Sequence, residues 1–356
     1  MLQNKKTVCV IFGGKSPEHD ISLKSATSVI NNLDKDKYDI LKVGITKDGE
    51  WYLYTGDTKM LEGGGWEKDK ALLKKAVISP DSKDKALLVF EDSKVTKICP
   101  DIVFPVLHGE NGEDGTIQGL LELSGIKYVG MGVLGSAVGM DKSFAKTIFA
   151  DAKIPQAAWV TVKSENGFDG YIAEIEGKLG YPCFVKPCRT GSSVGVGKAY
   201  NREELLKALS VAKDFDRKIL VEEFIDGQEV ECAVLGNTEP KAAEVGEIVP
   251  TVDFYDFDAK YNDNSTVLKI PAEIPSAARE RIRELAVRAF SAIDGRGLSR
   301  VDFFVRRDNG EVILNEINTL PGFTNISMYP KLWDAAGVGY KELLDELISL
   351  GEKRVM

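Results

Sequence analysis

LNEINTLPGF, Leu314 to Phe323, with SRVDFF at Ser299 to Phe304 just before it, decides how this chain of 356 residues is read. VDFFV from Val301 and EVILNEI from Glu311 are β-branched and aromatic runs, and the RDNG between them, Arg307 to Gly310, reads as a hairpin turn. Asp302 and Glu316 then face each other across the hairpin. A period of two puts Glu316 and Asn318 on one sheet face, so three oxygen ligands can meet at one place. Such a set suits a hard cation. Magnesium takes one or two carboxylates and leaves its other positions to water and substrate phosphates, which makes a nucleotide site the functional reading. A solvated hairpin with charges on its outer face is the alternative that spacing alone leaves open.

Composition narrows the field. With 43% hydrophobic residues the chain can bury a sizeable core, and its length suits two or three domains. A net charge of −9 and the lack of any long Lys/Arg run argue against a nucleic-acid partner. No apolar stretch reaches the roughly 18 residues of a membrane span, and MLQNKKTVCVIFGG enters a strand directly instead of a signal peptide, so a cytoplasmic protein is expected. Five cysteines without a CxxC pair read as buried free thiols.

The first third alternates strands and helices: TVCVIFGG from Thr7, a helix near Ser22 to Leu33, DILKVGI from Asp39 and DIVFPVLHG from Asp101. Continuous apolar strands predict a parallel sheet buried on both faces. The polar text from Gly56 to Lys97 reads as an irregular excursion. After GMDKSFAK at Gly139 the pattern turns to strands joined by short loops, an α+β arrangement. Ile282, Leu285, Ala286, Ala289, Phe290 and Ile293 share one face of a predicted scaffold helix over Ser276 to Ile293, and a last amphipathic helix spans Tyr340 to Leu350.

Four further clusters carry chemistry. FGGKS at Phe12 is not a P-loop, since GxxxxGK needs glycine where Cys9 stands, and no GxGxxG follows. Its Gly13-Gly14 pair allows close backbone approach to a ligand, while Glu18, near the start of the first helix, either grips an amino group or serves the helix dipole. VLHGENGEDGT at Val106 sets His108 at the carboxyl end of a strand, where crevices form, with Glu113 and Asp114 placed to orient it or to cap the next helix. KPCRTGSSVGVGK at Lys186 offers an anion nest around Ser192 and Ser193, flanked by Gly191, Gly195 and Gly197, with Lys186 as a point charge; a mobile phosphate cover and a plain surface hairpin both fit. In VEEFIDGQEVECAVLG at Val221, Glu222 and Glu229 flank a DG turn and are either ribose ligands or hairpin charges.

FGGKSPEHDISL, VLHGENGEDGTIQG, GMDK, KPCRTGSSVGV, VEEFIDGQEVECAVLG, FYDFDAKY, SRVDFF and NEINTLPGFT, in this order over nearly the whole chain, resemble the D-alanine–D-alanine ligases of the ATP-grasp superfamily. The resemblance implies an N-terminal doubly wound α/β pre-ATP-grasp domain (1–136), then a two-part α+β ATP-grasp fold made of a central subdomain (137–214) and a C-terminal one (215–356). It implies that Lys142, Lys186 and Ser193 hold ATP phosphates, Glu222 and Glu229 the adenosine side, and Asp302, Glu316 and Asn318 two magnesium ions, with manganese as a substitute. Glu18 would take the amino group of the first D-alanine and join Ser192 and Tyr261 in a hydrogen-bonded set that locks two loops over the site. Lys260 would touch the transferred phosphate, His108 the first substrate's carboxylate, Arg300 and the Gly322 N–H the oxyanion, and Ser327 the second substrate. Asp256, Lys260 and Tyr261 in FYDFDAKY disfavour an ester-forming relative, and apolar Met328 after Ser327 suits a methyl side chain. Ligation of two D-alanines for peptidoglycan precursors, by a homodimer, is therefore expected. The alternatives are a D-serine-using relative, a non-catalytic ATP-grasp binding module and another carboxylate–amine ligase of the superfamily. Asn325-Ile326 stands where relatives often show Ser-His or Ser-Tyr, and Phe257 where tyrosine is common.

Overall fold

A computed structural model describes residues 5–249 and 267–355. The first domain runs β1 (Lys6–Gly13), α1 (His19–Asn32), β2 (Tyr38–Ile45), β3 (Trp51–Tyr54), β4 (Leu73–Ile78), β5 (Leu87–Glu91), β6 (Lys94–Ile98), β7 (Ile102–Leu107) and α2 (Thr116–Ser124). Its seven strands form one sheet in the order β6-β5-β4-β3-β2-β1-β7, of which only β2, β1 and β7 are parallel. The parallel part is wound on both faces. Val8, Val10 and Phe12 pack with Leu23, Ala26 and Val29 of α1, whereas Cys9 and Ile11 pack with Ile117 and Leu121 of α2, which is why β1 reads as an unbroken apolar run.

The excursion expected from Gly56 to Lys97 is structured. It supplies three antiparallel strands to the sheet and seats Leu61 and Trp66 in the core, with the Trp66 indole edge-on to Phe12 at 5.2 Å between ring centroids. Short, lysine-interrupted strands hid this. Gly13 also has a different task from the one expected: at φ +87° its missing Cβ would lie 2.1 Å from the Ile45 carbonyl oxygen, so glycine serves the approach of two strands, not of a ligand. Cys99, just past edge strand β6, is exposed; the other four thiols are buried and all five are free.

After α3 (Val133–Met140) and α4 (Lys142–Asp151) comes a four-stranded sheet of β8 (Trp159–Lys163), β9 (Cys183–Pro187), β10 (Gly197–Ala199) and β11 (Lys218–Glu223), with α5 (Asp169–Lys178) and α6 (Arg202–Ala212). Because β11 pairs with β8 and β9, sheet membership puts the break after Glu223, not at 215. The last sheet, β14-β13-β12-β15-β16, joins β12 (Gly227–Gly236), β13 (Lys241–Val249), β14 (Val267–Lys269), β15 (Gly297–Arg306) and β16 (Val312–Asn318). Helix α7 (Ser276–Ala292) buries the predicted face against it. Helices α8 (Met328–Ala335) and α9 (Tyr340–Glu352) share a core with α1 and β7, so the end of the chain is packed onto its beginning. Among the described residues no helix is long and apolar enough to cross a membrane.

Candidate active site

Strands β15 and β16 pair in antiparallel register with Arg300 opposite Asn318 and Asp302 opposite Glu316, as the hairpin reading expects. A bulge follows: Phe303 pairs with Leu314, leaving Asn315 without a cross-strand partner. Val301, Phe303, Leu314 and Ile317 enter the core, and Arg300, Asp302, Glu316 and Asn318 line a cleft of about 720 Å³ on the other face. That is ample for a nucleotide and a small substrate. Arg300 holds Asp302 with two hydrogen bonds of 2.8 and 2.7 Å and reaches Glu231 of β12 at 3.1 Å. Burial works against its charge, but Asp302 and Glu231 outweigh it and raise the guanidinium well above its ordinary value.

The oxygen set suits a divalent cation. Two carboxylates and an amide converge on one wall, and Asp302 keeps lone pairs beyond the two that Arg300 uses. Among the described residues no three His, Cys, Asp or Glu side chains are grouped to hold a metal by themselves, so substrate oxygens would have to complete the shell.

Beside this wall lies a small hollow that shares Gly139, Lys142, Glu316 and Ile317 with the cleft. Asp141 caps α4 by accepting from the Ser143 and Phe144 N–H groups, which puts Lys142 in the first turn, its ammonium donating to the Thr190 carbonyl at 2.7 Å. Lys186, at the end of β9, meets Glu222 of β11 at 2.7 Å, and Lys146, one turn beyond Lys142, meets the other Glu222 oxygen at 2.7 Å. Burial opposes the Glu222 charge, yet Lys186 and Lys146 together hold its carboxyl down at about 2. Lys186 is likewise disfavoured by burial and is raised on balance by Glu222 and Glu316. Both Glu222 oxygens are thus occupied by lysines. Glu229, rather than Glu222, lines the main cleft.

Across the cleft, the Ser192 hydroxyl donates to the Glu18 carboxylate, joining segments 174 residues apart. Glu18 occupies the N-cap position of α1 without a side-chain capping bond, so its carboxylate faces the cleft instead of closing the helix end. Ser192 and Ser193 have φ of +49° and +60°, a left-handed turn rarely taken by residues with side chains, and a Cβ on Gly191 would press on Glu18 at 3.1 Å. Thr190, Gly191 and Ser192 line the cleft and Ser193 does not. His108 is 5% exposed, with Nδ1 3.4 Å from Glu113 and Nε2 3.1 Å from the Ser25 hydroxyl. Burial alone would lower its pKa, but Glu113 and Glu18 raise it on balance.

Gly322, Ser327 and Met328 form the remaining wall. The Ser327 hydroxyl accepts from the Thr324 N–H at 3.0 Å, the Phe323 N–H points to Ser25 at 3.4 Å, and Asn325 accepts from Ser28 of α1 at 2.9 Å. This loop hangs from the first domain. Its anchors Ser25, Ser28 and Asn325 were not singled out as site residues, and neither were Lys146 and Glu231. For Lys146 a signal existed, since in MDKSFAK it follows Lys142 by four residues and so shares its helix face. Lys260 and Tyr261 lie outside the described residues.

Lysines and hairpin acids meeting between two α+β sheets, with an α/β domain closing the third side, define an ATP-grasp ligase. The model for the N-terminal part of D-ala D-ala ligases matches residues 7–131 and that for their C-terminal part residues 148–349. A D-alanine--D-alanine ligase of Thermoanaerobacter sp. (strain X514) is 53% identical over 97% of this chain and 96% of its own. Among solved structures, the VanG D-Ala:D-Ser ligase from Enterococcus faecalis superposes with a TM-score of 0.90 at 42% identity, covering 98% of this chain and 100% of that one. The D-alanine-D-alanine ligase from Coxiella burnetii follows at 0.88 and 35% identity, over 99% and 95%. The chain belongs to the D-alanine–D-alanine ligase family, whose members are ATP-dependent ligases.

Proposed function

We propose that this chain joins two D-alanines at the expense of ATP, in the cytoplasm, as a homodimer. The observation that carries the reading is the convergence on one cleft of the Asp302, Glu316, Asn318 wall, the lysine hollow and the Glu18–Ser192 contact. A carboxylate is a poor acyl donor, so its oxygen first attacks the γ-phosphorus as the bond to ADP breaks; the second amine then attacks the acyl carbon and phosphate leaves. Magnesium, or manganese in its place, held by Asp302, Glu316 and Asn318, would offset the negative charge that gathers on the phosphoryl group.

The chain's own residues do the rest. Lys142 and Lys186 pair with phosphate oxygens, with Ser193 as a further donor once its loop settles on a nucleotide, and Glu229 faces the adenosine. Glu18 holds the first ammonium, and Ser192 fixes that carboxylate while tying the loop over the site so that water is kept from the acyl phosphate. His108, kept protonated beside Glu113, attracts the first substrate's carboxylate. Arg300 and the Gly322 N–H stabilise the oxyanion, and Ser327 and Met328 receive the second amino acid. Lys260 and Tyr261 complete the set on the segment beyond the described residues.

The likeness to a D-Ala:D-Ser ligase supports a second reading, in which D-serine is the second substrate. Apolar Met328 favours alanine, although a pocket of this kind rejects an added hydroxyl by only about 10²-fold. Purified protein given ATP, magnesium and equal D-alanine and D-serine is expected to yield mainly D-alanyl-D-alanine by mass spectrometry. A mixed dipeptide in excess would overturn that choice, and light scattering tests the dimer.

A further inference from the structure

Lys146 is 3% exposed and does not line the cleft, yet it is an ammonium on the deep side of the proposed phosphate site. Three groups hold it: a Glu222 oxygen at 2.7 Å, the Ala157 carbonyl at 3.2 Å and the face of Trp159 at 5.1 Å from the ring centroid. For folding alone this is a poor bargain. Lys186 and Glu222 would make a neutral buried pair, and a second cation beside them must be desolvated without a second carboxylate on Glu222 to match it. The trio carries a net charge of about +1, in a hollow walled by Lys142 and Glu316.

We propose that Lys146 is a positioning residue for nucleotide binding: by sharing Glu222, it keeps that carboxylate from capturing Lys186 and so leaves Lys186 free to turn to a phosphate. The inference rests on the ATP-dependent reading above and assigns to that site a residue that touches no substrate. Were Lys146 neutral, the whole Glu222 charge would fall on Lys186, and an incoming phosphate would have to compete with it. Lys146 and Glu222 therefore act as one unit, and removing the second should cancel the need for the first.

A double-mutant cycle of Lys146→Met and Glu222→Gln, read by calorimetric binding of magnesium ADP without D-alanine, separates this from a structural role. Lys146→Met is expected to weaken ADP binding by about tenfold or more, raising KM for ATP while leaving KM for D-alanine within about threefold. In the Glu222→Gln background the same substitution should change ADP affinity by less than about threefold, a comparison that holds even if the single variant folds poorly, because neither protein then buries an unmatched carboxylate. Equal losses in both backgrounds, or no loss in the single variant, would overturn the inference. If the wild type bound no nucleotide, the ATP-dependent reading would fall and this proposal with it.

Discussion

The two walls of the cleft are built by different means. The wall of Arg300, Asp302, Glu316 and Asn318 is one hairpin, fixed by strand register within about twenty residues, and its charges are placed by a period of two. The opposite wall is assembled from Glu18, His108, Ser192 and the loop from Gly322 to Met328, held by single hydrogen bonds between residues up to 298 apart in sequence. The first is rigid by construction. The second can open and close, which suits a wall that must admit two amino acids and then exclude water.

The largest break is expected in the rigid wall. Glu316→Gln keeps the strand pairing and shape but removes a cation ligand, so turnover should fall roughly a thousandfold, about 4 kcal/mol of barrier, with the melting temperature nearly unchanged. Steady-state phosphate release beside a thermal melt checks it; unchanged turnover would remove Glu316 from the metal site. In the assembled wall, Ser192→Ala deletes the tie to Glu18. A loss of about 1–3 kcal/mol, or roughly ten- to a hundredfold in kcat/KM for the first D-alanine, is expected, with phosphate release uncoupled from dipeptide as water enters. Tight coupling in that variant would mean that the loop closes without Ser192.

His108 sharpens the comparison through pH. Its folded pKa stands above the ordinary 6.5, so the stability it contributes is complete below 6.5 and is lost as pH rises through the folded value. Wild type should therefore lose stability over that window in urea titrations, and His108→Gln should lose less. Equal slopes would deny the Glu113 pairing an energetic role. The smallest effect belongs to Ser28→Ala, which frees Asn325: KM for the second D-alanine should rise about three- to tenfold with ATP affinity unchanged, since one neutral hydrogen bond contributes about 1 kcal/mol. A parallel loss of ATP affinity would make Ser28 a general prop instead.

What was legible follows the same division. Asp302 and Glu316 opposite each other, the two-faced burial of β1 and the apolar face of α7 are periodic patterns, and they were readable as such. The antiparallel extension by β4, β5 and β6 was not, because short strands with alternating lysines lack a continuous apolar run. Sheet membership of β11 escaped for a related reason: strand pairing at a distance leaves no local mark. Glu18 and Ser192 were brought together through the family resemblance, since nothing in the spacing of two residues 174 apart predicts a contact. The sharing of Glu222 by Lys146 and Lys186 joins a helix to two strands and carried only the weak signal of two lysines four apart.

The central claim is that both walls serve one acyl transfer through a phosphorylated carboxylate. Its most direct test uses D-alanine carrying ¹⁸O in its carboxylate, with ATP and magnesium, and reads the mass of the phosphate released. Because the acyl carbon loses its phosphorylated oxygen when the amine attacks, the account predicts one ¹⁸O in each inorganic phosphate formed together with dipeptide. Unlabelled phosphate alongside dipeptide would contradict it.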